Sequence, residues 1–99
     1  MVDISFDPGK NARNIAIHGV SLELSTEFDW EGALNREDTR RDYGEKRFRA
    51  FGLIGSRVYV LIHTPREGRV HVISLRKANK REVRRFESQE KQQESSNGS

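Results

Sequence analysis

Apolar residues between positions 46 and 75 fall into three short runs separated by turn-forming residues. The pattern predicts strands over Lys46–Leu53, Ser56–Thr64 and Arg69–Leu75, the central one containing the apolar sequence VYVLI. The breaks between them, IGS and PREG, have the composition of tight turns. Three strands joined by two short turns predict an antiparallel meander of two hairpins.

The first of these strands alternates in character from one residue to the next. Successive side chains of a strand point to opposite faces of the sheet. Arg47, Arg49 and Phe51 therefore share one face, and Phe48 and Ala50 share the other. We expect one face of the sheet to carry arginines next to an apolar patch.

The chain before residue 29 predicts a short strand and two helices. Val2–Phe6 is the strand candidate. Asp7 is a suitable N-cap and is followed by proline, which favours the first helical position, so a helix is expected from Pro8 to about Ile17, ending at Gly19. Ser21 can cap a second short helix that ends near Phe28.

Residues 29–44 are polar and irregular, with room for one short strand. The last helix has a clear beginning, because Asn79 and Glu82 are spaced as a capping box. Val83 and Phe86 form its short apolar stripe. No apolar residue follows Glu87, which predicts a disordered polar tail over residues 88–99 and a folded domain over residues 1–87.

These elements together predict a small α+β domain. The order is strand, two helices, a long loop, three strands and a helix, with an antiparallel sheet, two N-terminal helices and one C-terminal helix. A chain of 99 residues is long enough for one such domain. Its core is expected to be small, because only 33% of the residues are hydrophobic.

Composition excludes several classes of protein. The chain has no cysteine, so a disulfide framework and a cysteine-based metal site are excluded. Its start lacks the pattern of a signal peptide, and its longest apolar run, Val58–Ile62, is far too short to span a membrane. We therefore expect a soluble cytoplasmic protein without a membrane partner.

Charge is concentrated in one short segment. The net charge is only +3, yet residues 76–85 hold six Lys or Arg and a single acid, Glu82. A basic strand that runs into a helix N-terminus attracts phosphate, because backbone N–H groups and the helix dipole add to the side-chain charge. The segment predicts a nucleic-acid partner.

Three sequence segments resemble the BrnT family of type II toxins. They are FDPGKNARNIAIHGVS from Phe6 to Ser21, GEKRF from Gly44 to Phe48 followed by Gly52, and ISLRKANKRE from Ile73 to Glu82. The resemblance covers about residues 4–87. The chain departs from the usual pattern at Phe6, where Trp is common, and at Ile17, where Lys is common beside His18.

The resemblance implies a fold, an activity and partners. The fold is expected to be similar to that of RelE-type toxins, and the activity is ribonuclease cleavage of RNA, inhibiting translation and growth. The partner is expected to be a BrnA-like antitoxin with a ribbon-helix-helix DNA-binding part. Promoter DNA is expected to be bound only through the complex with this antitoxin.

Metal-independent RNA cleavage needs a base near the 2′-OH, an acid near the leaving oxygen and cations around the phosphorane. The residue types and the resemblance together suggest a catalytic set of His18, Glu45, Arg47, Arg76 and Arg81. Contacts with RNA phosphates are expected from Lys10, Lys77, Lys80 and Arg84. Which residue is base and which is acid is left open.

Each of these residues also has a purely structural interpretation. His18 can cap the end of its helix, and Glu45 and Arg47 can form an exposed ion pair of small energetic value. Arg81 lies where a cation opposes the helix dipole, so it needs a nearby anion such as Glu82. The four Lys and Arg residues named for phosphate contacts are equally compatible with a solvated surface or an antitoxin-facing one.

No cofactor and no metal ion are expected. His18, His63 and His71 lack the spacing of a metal site, and no glycine-rich nucleotide loop is present. The alternative function is a non-catalytic module that binds nucleic acid or antitoxin on the same scaffold, including a degenerate toxin that has lost activity with the lysine at position 17. RNA sequence preference, ribosome dependence and the oligomeric state without antitoxin are not encoded in a recognisable pattern.

Overall fold

The computed structural model describes the backbone of residues 2–97 and the side chains of residues 2–89. The elements are β1 (Ile4–Ser5), α1 (Pro8–His18), a 3₁₀ helix (Leu22–Glu27), β2 (Leu34–Glu37), β3 (Phe48–Ile54), β4 (Arg57–Arg66), β5 (Arg69–Lys77) and α2 (Lys80–Asn97). None of the described helices is long and apolar enough to cross a membrane. The α+β class predicted from the sequence is confirmed, and the structure adds one strand, β2, to the predicted order.

The five strands form one mixed sheet in the order β1-β5-β4-β3-β2. The central meander of β3, β4 and β5 is antiparallel, as predicted, and β2 adds a fourth antiparallel strand along β3. The prediction of a purely antiparallel sheet was wrong, because β1 pairs with β5 in parallel. Parallel strands cannot be joined by a tight turn and need a long connection. Here the chain leaves β1 through two helices and enters the sheet again at its opposite edge, so β1 and β5 can lie parallel.

The beginnings and ends of the N-terminal helices follow from local side-chain chemistry. The Asp7 carboxylate accepts hydrogen bonds from the backbone N–H groups of Gly9 and Lys10, and Gly19 ends α1 with a left-handed φ of 71°. Ser21 accepts a hydrogen bond from the N–H of Glu23 and begins the second helix, which is of the 3₁₀ type. These caps are the ones that the sequence predicted.

The sheet has a helical layer on each side. α1 and the 3₁₀ helix cover one side, which holds the larger core, with fully buried Leu22, Leu61, Val72 and Leu75. Helix α2 covers part of the other side. A smaller core lies under it, formed by Phe51, Val58, Val60 and Phe86. The rest of the α2 side of the sheet is open to ligands.

Strand β3 sends different residues to the two sides. Ala50 belongs to the larger core and Phe51 to the smaller one, which confirms the predicted alternation. At Gly52 the Phe28 ring packs so closely that an added Cβ would lie 2.6 Å from its Cζ atom. Glycine is therefore required there for close packing rather than for backbone freedom.

Helix α2 begins with the predicted capping box. The Asn79 N–H donates to Glu82 Oε1 at 2.9 Å, and the Glu82 N–H donates to Asn79 Oδ1 at 2.9 Å. The helix then continues to Asn97, whereas the sequence predicted a disordered tail from residue 88. Glu, Gln and Lys are good helix formers, so backbone propensity can extend the helix without apolar packing. Residues 98 and 99 lie outside the described residues, and the domain boundary at residue 87 stays a prediction.

Candidate functional site

Five arginines share the open α2 side of the sheet and form what we call the arginine surface. Arg36 on β2 lies directly opposite Arg49 on β3. Arg47 precedes Arg49 by two residues and therefore points to the same side. The surface consists of Arg36, Arg47, Arg49, Arg76 and Arg85.

Arg49 occupies the most confined position on this surface. It lines a pocket together with Arg36, Arg85, Glu82 and an apolar floor of Leu34, Phe51 and Phe86. Its guanidinium lies 5.9 Å from the centre of the Phe51 ring. The Arg49 Nε atom is buried and has no hydrogen-bond partner among the described residues. A buried donor without an acceptor is unfavourable, so the position favours an anionic ligand.

Arg47 is held by groups on both sides of it. Its guanidinium lies over the Tyr43 ring, 4.1 Å from the ring centre, and its Nε is 3.6 Å from a carboxylate oxygen of Glu45. That distance is too long for a hydrogen bond, and the Arg47 Nε is likewise buried without a partner. Arg47 therefore has a fixed orientation and an unused donor.

Glu45 pairs more closely with a residue that the sequence did not suggest. Both of its carboxylate oxygens accept from Arg66 Nη2, at 3.1 and 3.4 Å. The hydrogen bond with Arg66 is the main reason that the pKa of Glu45 is lowered, with a smaller contribution from Arg47. Glu45 therefore remains a carboxylate at neutral pH and is a weaker base than an ordinary glutamate.

The Tyr43 ring under Arg47 is itself fixed by a buried acid. Tyr43 Oη donates to Asp38 Oδ2 at 3.2 Å, and Asp38 also accepts two side-chain hydrogen bonds from Arg40 at 2.8 Å each. The Asp38 side chain is only 1% exposed. Its hydrogen bond with Arg40 is the main cause of a strongly lowered pKa, so the acid stays charged and the group stays assembled.

Arg76 is committed to Glu82. Its Nη1 and Nη2 atoms donate to the two carboxylate oxygens at 2.8 and 2.9 Å, a bidentate pair that ties the end of β5 to the first turn of α2. The same hydrogen bonds raise the pKa of Arg76 and lower that of Glu82. Glu82 thus neutralises much of the charge of Arg76, and Arg81, the residue that the sequence placed beside Glu82, is exposed.

His71 is a titratable group at the same end of the sheet as Glu45. It is 8% exposed, and its Nδ1 lies 3.0 Å from Ser5 Oγ. Burial is the main cause of a lowered pKa, and the cations Arg66 and Lys10 lower it further. His71 is therefore neutral at physiological pH and can accept a proton. His71 was not among the catalytic residues suggested by the sequence.

The remaining predicted residues lie apart from Arg47 and Arg49. Lys10 and His18 line a groove between α1 and β5, together with Arg13, Ile17 and Ser74. Lys77 faces a groove beside Val20 and Tyr59 on the α1 side. Lys80 and Arg84 flank a third groove with Arg57, next to the turn between β3 and β4. The structure thus keeps Glu45 with Arg47 and distributes the other cations over several surfaces.

His63 has a structural role. It is 7% exposed, stacks against Phe48 with 5.5 Å between ring centres, meets Trp30 edge-on and contacts Asn35 Oδ1 at 3.0 Å. Burial lowers the pKa of His63 to about 4. Within the described residues no three His, Cys, Asp or Glu side chains are grouped as metal ligands.

Comparison with protein families decides the relationship suggested by the three sequence segments. Residues 6–82 match the family described as "Ribonuclease toxin, BrnT, of type II toxin-antitoxin system". The chain belongs to the BrnT family. The family consists of ribonuclease toxins, so the predicted activity, toxin class and resemblance are confirmed at this level. A toxin of a type II system has an antitoxin as its partner.

Solved structures support the fold of this BrnT-family chain. The 1.1 Å crystal structure of the Brucella abortus ribonuclease toxin BrnT matches with a TM-score of 0.55 and 24% sequence identity. The match covers 81% of this chain and 100% of the Brucella chain. Comparison with curated proteins gave no match. At this identity the structural likeness establishes the shared fold and leaves the site to be argued from the residues of this chain.

Proposed function

We propose that this BrnT-family toxin cleaves RNA on the arginine surface, with a phosphodiester held between Arg47 and Arg49. The observation that carries the proposal is the pair of buried Nε donors, one on each residue, that lack a hydrogen-bond partner among the described residues. Guanidinium groups bind phosphate in a planar, charge-assisted geometry. A phosphate bound on this surface would place an anion beside both guanidinium groups.

The chemistry of this arrangement is attack by the 2′-OH on the adjacent phosphorus, which forms a 2′,3′-cyclic phosphate and breaks the bond to the 5′-oxygen. The leaving 5′-oxygen takes a proton from water. The phosphorane that forms carries more negative charge than the substrate, so fixed arginines stabilise it preferentially. Arg47 is suited to this role because the Tyr43 ring and Glu45 hold it from two sides. Arg49 is suited because its pocket shields it from water.

His71 is the proposed acceptor of the 2′-OH proton. The pKa of an imidazole lies closer to neutral pH than the pKa of a carboxylate that is paired with an arginine, so the imidazole is the better base. Glu45, which the sequence suggested as base, is proposed instead to hold Arg47 and Arg66 in place. Ser5 Oγ lies 3.0 Å from His71 Nδ1, so Nε2 is the nitrogen that we propose accepts the proton.

The other predicted residues are proposed to act outside the reacting phosphate. Arg76 and Arg81 lie at the junction of β5 and α2, where they can contact an adjoining phosphate of a longer RNA. His18, Lys10, Lys77, Lys80 and Arg84 lie away from the arginine surface, in grooves where the antitoxin can bind. We also propose that the fold is similar to that of RelE-type toxins.

The partner is proposed to be a BrnA-like antitoxin with a ribbon-helix-helix part. The family assignment supports an antitoxin, and the resemblance supports its type. Promoter DNA would then be bound only through the antitoxin. Action on RNA places the toxin in the cytoplasm, and the proposed chemistry uses no metal ion.

The test is cleavage of a single-stranded RNA by purified protein in the presence of a metal chelator. Arg47→Ala and Arg49→Ala are each expected to lower kcat by about 100-fold, the scale measured when one donor to a developing anion is removed. Arg57→Ala, which removes an exposed arginine near the turn between β3 and β4, is the matched control and should retain activity. Cleavage by both site variants at the wild-type rate would refute the proposed site. Salt-sensitive RNA binding without cleavage by the wild type would favour a non-catalytic binding module.

The test of His71 is the pH profile of the same reaction. Because burial lowers the pKa of His71, wild-type activity should be constant at neutral pH and fall as acidification protonates the imidazole. His71→Gln should lower kcat and abolish this acidic limb. A variant with full activity and an unchanged profile would exclude His71 as the base.

A further inference from the structure

Helix α1 has its polar and apolar positions reversed relative to an ordinary surface helix. Its buried residue is Asn14, which is 5% exposed. Its isoleucines face outward, with Ile15 exposed by 46% and Ile17 by 66%. An amphipathic helix normally turns such residues toward the core. The outer side of α1 is therefore apolar in a place where the fold itself gains nothing from it.

Hydrogen bonds from two asparagines hold this helix in place. Asn14 Nδ2 donates to the carbonyl oxygens of Val20 and Leu75, each at 2.8 Å, and the Leu75 N–H donates to Asn14 Oδ1 at 3.2 Å. Asn11 Oδ1 accepts from the Leu22 N–H at 2.7 Å. The helix is thus anchored by polar contacts, which leaves its apolar residues available to another molecule.

The exposed apolar positions form a continuous stripe. Ala12, Ile15 and Ala16 are all exposed and follow the spacing of three and four residues that places side chains on one face of a helix. Ile17 lies on a different side of the helix, about 160° around its axis from Ile15, at the rim of the groove between α1 and β5. Contiguous exposed apolar residues bordered by polar ones are characteristic of protein–protein contact sites.

The charge around Ile17 in this groove is of one sign. Lys10, Arg13 and His18 belong to the same helix, and all three are exposed. No Asp or Glu lies between Pro8 and His18. A complementary surface would therefore present apolar side chains flanked by Asp or Glu.

We propose that the groove between α1 and β5, with Ile17 at its rim and Lys10, Arg13 and His18 around it, is the docking surface for an acidic, apolar segment of the antitoxin. The inference rests on the antitoxin partnership and is independent of the cleavage chemistry. A second copy of this chain is a poorer occupant, because a two-fold axis through α1 would bring its cations opposite one another. RNA is also a poorer occupant, because isoleucine and alanine provide no aromatic surface on which bases can stack.

The experiment measures affinity for the cognate antitoxin encoded by the neighbouring gene, using the full-length toxin and calorimetry. The double variant Ile15→Ala and Ile17→Ala should raise Kd at least tenfold, since buried aliphatic side chains at an interface are expected to contribute strongly. Alanine has a higher helix propensity than isoleucine, so α1 should remain folded. Val2→Ala, which truncates another exposed apolar residue outside α1, is the matched control and should leave Kd unchanged.

A charge variant tests the acidic character of the partner. Arg13→Glu should weaken binding at low salt by about tenfold and flatten the dependence of Kd on salt concentration. Both sets of variants should keep the wild-type rate of RNA cleavage, so that a growth assay shows toxicity that the antitoxin no longer suppresses. A wild type that binds antitoxin but fails to cut RNA would refute the proposed function and leave this binding test valid.

Four results would overturn the inference. The first is an unchanged Kd for the double isoleucine variant, and the second is an equal loss of antitoxin affinity in Val2→Ala. The third is self-association of the wild-type toxin that the double variant abolishes. The fourth is a loss of RNA affinity in the double variant while its antitoxin binding stays intact. The first two exclude a specific role of α1. The third identifies a second copy of the chain as the occupant, and the fourth identifies RNA.

Discussion

The two sides of the sheet differ in how they use the same strand. On the α1 side, β3 contributes Ala50 and Gly52 to a core in which His63 lies between Phe48 and Trp30, and the buried atom without a partner among the described residues is the neutral hydroxyl of Ser25. On the α2 side, the same strand contributes Arg49, whose buried Nε has no partner among the described residues. One side is built for stability, and the other retains an unfavourable donor that a ligand can satisfy.

The difference between the two sides explains how a chain of 99 residues can contain both a core and a binding surface. The period of two along a strand separates the two requirements residue by residue. Substitutions on the α1 side should therefore change stability first, and those on the open α2 side should change activity first. Four variants test this division, in order of decreasing expected effect.

Asn14→Ala should produce the largest loss of stability. It removes three buried hydrogen bonds and leaves backbone groups of Val20 and Leu75 unpaired, which we expect to lower the free energy of unfolding by about 4 kcal/mol. Chemical denaturation measures the change. Arg13→Ala, at an exposed position of the same helix, should cost little. A loss below about 1 kcal/mol for Asn14→Ala would mean that α1 is held by other contacts.

His63 should make stability depend on pH. Its pKa falls from 6.5 to about 4 on folding, so the unfolded chain binds a proton that the folded chain does not. The contribution is fully present above pH 6.5 and is lost as the pH falls toward 4, amounting to roughly 3 kcal/mol. Denaturation at pH 7 and pH 5 should show this decline, and His63→Gln should reduce it. An identical decline in both proteins would assign it to other groups.

Gly52→Ala tests the close packing of the α1 side. The new methyl group would lie 2.6 Å from Phe28 Cζ, and overpacking of this kind costs about 2 kcal/mol. Adding Phe28→Leu to the same chain should restore part of the loss by making room. Failure of this second substitution to restore any stability would show that the backbone, rather than the ring, resists the change. RNA cleavage by the folded fraction should be unaffected.

Arg49→Met should have the smallest effect on stability and the opposite sign. It removes the unpartnered buried donor and keeps an unbranched side chain beside Phe51, which we expect to raise the free energy of unfolding by about 1 kcal/mol. RNA cleavage should be lost at the same time. Arg57→Met on the exposed turn should change neither property. A destabilised Arg49→Met protein would show that Arg49 contributes to the fold, and the contrast between the two sides would then fail.

Local features could be predicted from the sequence with good accuracy. The Asp7 cap, the Gly19 ending, the Asn79–Glu82 capping box and the alternation of β3 are all confirmed, because each depends on residues within a few positions of one another. The pairing of β1 with β5 was missed because paired residues such as Ser5 and His71 are far apart in the sequence and meet only in the folded protein. The helical extension of α2 was missed because no apolar periodicity marks it.

The site was predictable only in part for the same reason. The spacing of Glu45 and Arg47 was sufficient to place them together, and the salt bridge at 3.6 Å agrees with that prediction. The sequence also placed Arg49 on the same face, which was the available signal for its importance. The sequence did not indicate that Arg66 pairs with Glu45 or that Arg76 pairs with Glu82, because these ion pairs depend on strand register. The roles assigned to individual residues stay predictions.

The short length of β1 leaves most of the outer edge of β5 beyond it without a strand partner. Exposed strand edges invite pairing with other chains and so lead to fibrous association. Here the carboxamide of Asn14 engages both the N–H and the carbonyl of Leu75, so an incoming peptide would find these positions already taken. At the opposite border, β2 has only four residues, three of them polar and exposed. Neither edge of the sheet is therefore available to pair with a strand of another chain, which should allow this toxin to accumulate without polymerising.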